Sequence, residues 1–247
     1  MLKYTQNFHI PCYNTDAAWR LKPAAFMDLA QEAAGLHAIE LGFGYEDLIK
    51  NNTAWILSRV NIKFVDTPIW RDDITLTTWH KGANRLFFLR DFIMTDKEGK
   101  ERVKATTSWL VLNLETRRLV RDPMLMEEGT VCSENVIETP ADKVQMPKDV
   151  PAELVLEHAV AYSDVDMNNH TNNAMYMLWA MDAVDYETAS TKPVKEVTIN
   201  FNHEIKPQED VDIYRVCVEA EDGLHVFMEG KVADQSAFIV ELLFVKE

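Results

Sequence analysis

The strongest constraint in this sequence is a repeat. Val60-Asn-Ile-Lys-Phe64 is followed by Pro68 and then by Asp72-Asp73-Ile74; at a constant offset of 137 residues come Val197-Thr-Ile-Asn-Phe201 and Glu209-Asp210-Val211. Val60, Ile62, Phe64, Asp73 and Ile74 recur as Val197, Ile199, Phe201, Asp210 and Val211, with the proline displaced by two, to Pro207. Alternation with period two makes both stretches strands with one buried face. A chain of 247 residues suits one large domain or two of half that length, and the repeat points to one plan used twice.

Each repeat is preceded by a helix. The first is expected from about Pro23 to Leu41, with Pro23 suited to the first turn and Gly42 and Gly44 to the end. The second is expected from about Asn173 to Glu187, capped by Asn172 or Asn173. It is apolar almost all round, so it is enclosed on most sides. Strands are expected at about 54–65, 74–80, 86–95 and 102–113, and again at 197–202, 211–220, 224–232 and 237–245. The stretch from Asp122 to Val150 is polar, lacks periodicity and contains Pro123, Pro140 and Pro147, as a linker does. Residues 1–125, 126–150 and 151–247 therefore read as a first half, a linker and a second half. One apolar sheet face covered by a long helix solves the burial problem of each half. Periodicity alone supports an α+β chain, duplicated.

Composition excludes several classes. The net charge is −15, which disfavours nucleic acid or an anionic membrane as a whole-protein partner but leaves room for a local basic patch. The most apolar stretches, 174–180 and 237–245, fall short of a membrane span of roughly 20 residues. The first residues carry no apolar signal-peptide core. Cys12, Cys132 and Cys217 are odd in number and scattered, which argues against a disulfide framework and a zinc site and fits a reducing cytosol.

The chemistry gathers before the second helix, in Tyr162-Ser-Asp164-Val-Asp166-Met-Asn168-Asn-His170-Thr-Asn172-Asn173-Ala-Met-Tyr176. Asp166, Asn168 and His170 are spaced by two, and in an extended loop that spacing points all three the same way. At a helix N-terminus, free N–H groups and the dipole stabilise developing negative charge, as on the oxyanion of a thioester under attack. Simple capping and strand breaking is the plain alternative for any one of these residues. The matching first-half segment, Tyr13-Asn-Thr-Asp16-Ala-Ala-Trp19-Arg20, lacks the Asn-x-His pair, so one active site is expected, in the second half. His9, His37 and His80 form no cluster.

Asp-x-Asn-x-His-x-Asn-Asn-x-x-Tyr before an apolar helix closely resembles the plant and bacterial acyl-acyl-carrier-protein thioesterases. Gln6-Asn7-Phe8, Trp55-Ile-Leu-Ser-Arg59, Pro68-Ile-Trp70, Trp109-Leu-Val-Leu-Asn113 and Thr116-Arg-Arg118 extend the likeness over most of the chain. The resemblance implies a double hot-dog fold, two antiparallel sheets each wrapping a long central helix. It implies catalytic roles for Asp166, Asn168 and His170. Thr198-Ile-Asn-Phe-Asn-His-Glu204 looks like the segment carrying the family's further acid, which makes Glu204 the fourth candidate. Strict alternation would turn Glu204 away from its own helix, so either a bulge re-aims it or the site opens there; its plain alternative is a solvated turn carboxylate. Ile205 stands where plant relatives carry cysteine, which leaves a thiol mechanism without its nucleophile.

The expected reaction is hydrolysis of fatty acyl-acyl carrier protein to free fatty acid in the cytoplasm, with no metal or organic cofactor. Water is the nucleophile, Glu204 or Asp166 takes its proton, and Asn168 and His170 position the substrate or polarise its carbonyl. Covalent attack by Asp166 competes. An acyl-CoA thioesterase and a non-catalytic acyl-binding module are the alternatives. Because carrier proteins are acidic, Arg117, Arg118 and Arg121, with Lys81 and Arg85, are the expected docking cations. Pairing of two chains into a homodimer is left open.

Overall fold

The computed structural model of the chain describes residues 2–121 and 129–246. The first half opens with strand β1 (Tyr4–His9), helix α1 (Pro23–Glu40) and the short helix α2 (Tyr45–Lys50). Strands β2 (Thr53–Phe64), β3 (Asp73–Asn84), β4 (Phe87–Asp96), β5 (Glu101–Asn113) and the two-residue β6 (Leu119–Val120) follow. The second half repeats the plan with β7 (Glu153–Ala159), α3 (Asn173–Asp182), α4 (Tyr186–Thr191), β8 (Val194–Phe201), β9 (Asp210–Glu219), β10 (Leu224–Val232) and β11 (Gln235–Phe244).

Both long helices begin where their sequences dictate. Pro23 opens α1, where its missing N–H costs nothing. Asn172 caps α3, its side chain accepting from the Ala174 N–H at 2.8 Å. The end of the second helix differs from expectation. It does not run to Glu187: α3 stops at Asp182, and Asp185 caps α4 by accepting from the Thr188 N–H at 2.8 Å. An aspartate bonding a backbone N–H three residues on starts a new helix better than it continues an old one. The edge strand β7 is absent from the sequence reading because it buries little: only Val155, Leu156 and His158 are half-covered.

The two sheets meet edge to edge. The strand order is β1-β3-β4-β5-β2-β8-β11-β10-β9-β7, and β2 pairs antiparallel with β8. Val60 lies opposite Ile199, Asn61 opposite Thr198 and Ile62 opposite Val197. The repeated motif therefore pairs with its own copy about a local two-fold that passes between Asn61 and Thr198. Pairing this way removes one exposed edge from each half. Helices α1 and α3 pack in one core with the seam: Phe26, Ala33, Met177, Trp179, Ile62 and Ile199 are all almost fully enclosed.

On the opposite face the polar seam residues meet the segment that joins the halves. Asn200 Nδ2 donates to the Asp142 carbonyl at 2.9 Å, and its Oδ1 accepts from the Val144 N–H at 2.7 Å. Ile137, Ala141 and Val144 are buried beneath these contacts. The expected linker is thus without regular structure over its described residues, yet stitched to the sheet; its start, 122–128, lies outside the described residues. The same strap corrects one docking expectation. Lys81 is not a turn cation: β3 continues to Asn84, and the Lys81 ammonium is buried against Asp91 at 3.0 Å, donating also to the Ile137 carbonyl. No helix among the described residues is long and apolar enough to cross a membrane.

Candidate active site

The loop before α3 is built by backbone hydrogen bonds. The Asp166 N–H donates to the His170 carbonyl at 2.9 Å, and the Asn169 N–H donates to the Asp166 carbonyl at 3.0 Å. Asn169 takes a φ of 61°, which Asn tolerates better than most residues. Asp166 Oδ1 accepts from the Asn168 N–H at 2.8 Å. The loop is therefore a tight Asx turn, not extended, so strand alternation does not set the directions of Asp166, Asn168 and His170. Buried Asp164 braces it, accepting from the Ala161 N–H at 2.7 Å and pairing with His158 Nε2 at 2.8 Å.

Glu204 joins this loop from the second repeat. Because β8 ends at Phe201, alternation no longer governs the orientation of Glu204 and no bulge is needed. Its neighbour Ile205 is fully buried, donating its N–H to the Tyr176 hydroxyl at 3.0 Å and accepting from the Thr171 N–H at 3.0 Å. Burial pushes the Tyr176 phenol up to about 12, with the charges of Glu204, Glu209 and Asp166 adding to it. Glu204 Oε2 lies 3.7 Å from His170 Nε2. Asn168 Nδ2 lies 3.4 Å from Asp166 Oδ2. The four predicted residues thus form two pairs, Asp166 with Asn168 and His170 with Glu204, the latter two open to solvent by 43% and 34%.

The first half contributes groups that the motif does not reveal. Arg117 Nη2 reaches Glu204 Oε1 at 3.4 Å from the turn between β5 and β6. That turn is set by Asn113, whose side chain accepts from both the N–H and the hydroxyl of Thr116. Arg117, expected to dock a partner, therefore stands at the site itself. From α1, Gln31 Nε2 lies 3.4 Å from both Asn172 Oδ1 and Asp28 Oδ1, and burial raises the Asp28 carboxyl above its usual range. Polarity alone does not single out Gln31 and Asp28 in the sequence, because α1 also carries Glu32, His37 and Glu40.

The first-half loop has the same backbone. The Asp16 N–H donates to the Arg20 carbonyl, the Trp19 N–H donates to the Asp16 carbonyl, and Trp19 has a φ of 66°. Its side chains differ: Ala18 stands for Asn168, Arg20 for His170 and Thr67 for Glu204. Arg20 pairs with Asp16 at 2.8 Å and donates to the carbonyls of Ala189 and Ser190. That copy is a latch, holding the end of α4.

All three cysteines are free, and burial raises the Cys217 thiol, which disfavours the thiolate. Among the described residues no cluster of three or more His, Cys, Asp or Glu is arranged to hold a metal ion.

Comparison with known proteins agrees with this architecture. The model of the acyl-ACP thioesterase N-terminal domain matches residues 1–126, and that of the C-terminal domain matches residues 148–241. Oleoyl-acyl carrier protein thioesterase 1, chloroplastic, of Arabidopsis thaliana is 26% identical over 230 residues, covering 85% of this chain and 63% of that protein. Palmitoyl-acyl carrier protein thioesterase, chloroplastic, of Gossypium hirsutum is 26% identical over 215 residues, covering 82% and 52%. The chain thus spans between half and two thirds of the length of these relatives. An acyl-ACP thioesterase from Bacteroides thetaiotaomicron superposes with a TM-score of 0.85 at 25% identity, covering 98% of this chain and 97% of that one. The 12:0-ACP thioesterase from Umbellularia californica shares the fold, with a TM-score of 0.86 at 20% identity over 100% and 95% of the two chains. With both domain models matched in order and nearly end to end, the chain belongs to the acyl-ACP thioesterase family.

Proposed function

We propose that this protein hydrolyses the thioester of fatty acyl-acyl carrier protein, releasing free fatty acid and the carrier thiol. The observation that carries the reading is the contact of His170 with Glu204, 3.7 Å apart beside the Asp166–Asn168 turn, in a chain of this family. Residues 151–247 are the catalytic half, 126–150 the linker, and 1–125 supply acyl pocket and partner surface. Three free cysteines fit a reducing compartment, which we take to be the cytoplasm.

Both Asp166 oxygens are engaged by Asn168, at 2.8 and 3.4 Å, so Asp166 orients the Asn168 amide. Glu204 is the carboxylate that faces the histidine, and it takes the proton of a water attacking the thioester carbon. The oxyanion that forms is met by the Asn168 amide and by the positive end of the α3 dipole, the N–H groups of Ala174 and Met175 being taken by Asn172. As the C–S bond breaks, Glu204 passes that proton to His170, 3.7 Å away, which delivers it to the departing thiolate, leaving a carboxylic acid, a free thiol and the starting carboxylate. Attack by Asp166 itself would require it to leave Asn168.

The test is release of free thiol from a panel of acyl chains on carrier protein and on coenzyme A. Wild type should turn over carrier-bound substrates, and His170→Ala and Glu204→Gln should each lower kcat by roughly 100-fold or more while remaining folded. Near-wild-type rates in either folded variant would remove that residue from the mechanism. Faster turnover of acyl-CoA than of acyl carrier protein would reassign the substrate. A folded wild type that hydrolyses neither would leave a binding module.

A further inference from the structure

The first-half copy of the loop borders a cavity that the hydrolytic reading leaves unused. Its volume is about 470 Å³, within the range of roughly 300–1,000 Å³ usual for small-molecule sites. It lies between the Asp16–Arg20 turn with the start of α1 on one side and α3, α4 and the start of β8 on the other. The local two-fold relates this place to the catalytic loop, and the two lining helices differ in a telling way. At the positions where α1 carries Asp28 and Gln31, α3 carries Leu178 and Met181, and both of these line the cavity. Leu21, Ala24, Phe64 and Val194 complete an apolar wall.

The polar groups around it are unsuited to hydrolysis and suited to an anion. Arg20 is already consumed by Asp16 and by two carbonyls. Lys22 and Lys192 also line the cavity and are half-exposed, so their ammonium groups reach water. Asp16 is neutralised by Arg20, which leaves Asp182 as the other acid of the lining. The local balance is positive by one charge, in a chain whose net charge is −15.

We propose that this cavity is a second ligand site, taking the alkyl chain of a fatty acid against Leu178, Met181 and Phe64 with its carboxylate met by Lys22 and Lys192. The ligand class follows from wall and rim and does not rest on the catalytic reading. The chemistry of the proposed product happens to match it, so such a site would let released fatty acid act back on the enzyme.

The test is calorimetric titration of the full chain with octanoate, decanoate and dodecanoate. Affinity should rise by roughly three- to fourfold per methylene. Met181→Trp, which fills the cavity, should abolish this binding, and Lys192→Glu should weaken it by roughly two- to fivefold. Both variants should keep the wild-type kcat on a short acyl-N-acetylcysteamine thioester. His170→Ala should keep the binding, which separates this site from the catalytic groove. Unchanged affinity in Met181→Trp, or loss of binding in His170→Ala, would overturn the proposal, as would equal affinity for decanol and decanoate. Should Met181→Trp fail to fold, an unchanged affinity in Lys192→Glu would overturn it alone. Failure of hydrolysis on every thioester would sink the reading above and leave these titrations interpretable.

Discussion

Ile205 is fully buried with both backbone groups bonded, at the position where the family resemblance implies a thiol. A side chain in that environment packs; it does not react. Of the three thiols, Cys132 is a buried residue of the strap, while Cys12 and Cys217 are exposed, and burial of part of Cys217 opposes its ionisation. Changing Cys12, Cys132 and Cys217 together to Ser or Ala should therefore leave a folded protein with thioesterase activity within roughly twofold of wild type. Loss of turnover with an unchanged circular dichroism spectrum would revive a thiol mechanism. Ser at the buried position 132 costs some stability, so Ala is the better choice there.

Comparing the two repeats element by element explains Tyr176. Its counterpart in α1 is Phe26, and the counterpart of Ile205 is Pro68. Each loop ties to the helix entrance through a carbonyl: Pro68 accepts from Leu21 and Ile205 from Thr171. Only Ile205 has an N–H to satisfy, and only α3 supplies a hydroxyl to take it. Tyr176→Phe should leave that buried N–H unpaired and cost about 1–3 kcal/mol, read from the urea midpoint. Because Ile205 adjoins Glu204, kcat should fall too, by roughly tenfold at most, with KM for a short thioester little changed. A variant as stable as wild type would show that the N–H finds another acceptor. The turn carrying Arg117 works the same way, in that Asn113 fixes the backbone from which the guanidinium reaches Glu204.

At the scale of the whole molecule, the seam between β2 and β8 brings first-half cations to the second-half site. Arg121 donates to the Arg85 carbonyl at 2.6 and 2.9 Å, which draws the β3–β4 hairpin and the end of β6 together. Arg85 and Arg118 are exposed there, and Leu86, Leu114 and Leu119 are exposed around them. An acidic carrier protein would otherwise be repelled by a chain at −15. Reversing Arg85 and Arg118 to Glu should raise KM for acyl carrier protein by roughly tenfold or more. Salt should weaken the wild type on that substrate, and a short acyl-N-acetylcysteamine thioester should respond to neither change. Equal losses on both substrates would place these arginines in folding or catalysis. Arg117 is left out of this test because its contact with Glu204 would confound it.

By itself the sequence determined whatever depends on local pattern. Val60-x-Ile-x-Phe64 and its copy declare strands because alternation is a property of neighbours, and Asn172 declares a helix start because a cap needs only the next turn. Asp166, Asn168, His170 and Glu204 were legible as side-chain types in order, and the family resemblance supplied their grouping. Only the tertiary structure decided what lies between distant segments. That β2 and β8 fuse the halves follows from which strand edge is free, a question no single strand can answer. That Arg117 reaches Glu204 while Lys81 lies buried on Asp91 depends on how hairpins pack, since a charge in sequence carries no record of what will cover it. The turn that carries Asp166, Asn168 and His170 is held by a local anchor at Asp164 and a long-range one at Ile205, and their strength comes from burial that only the assembled core provides.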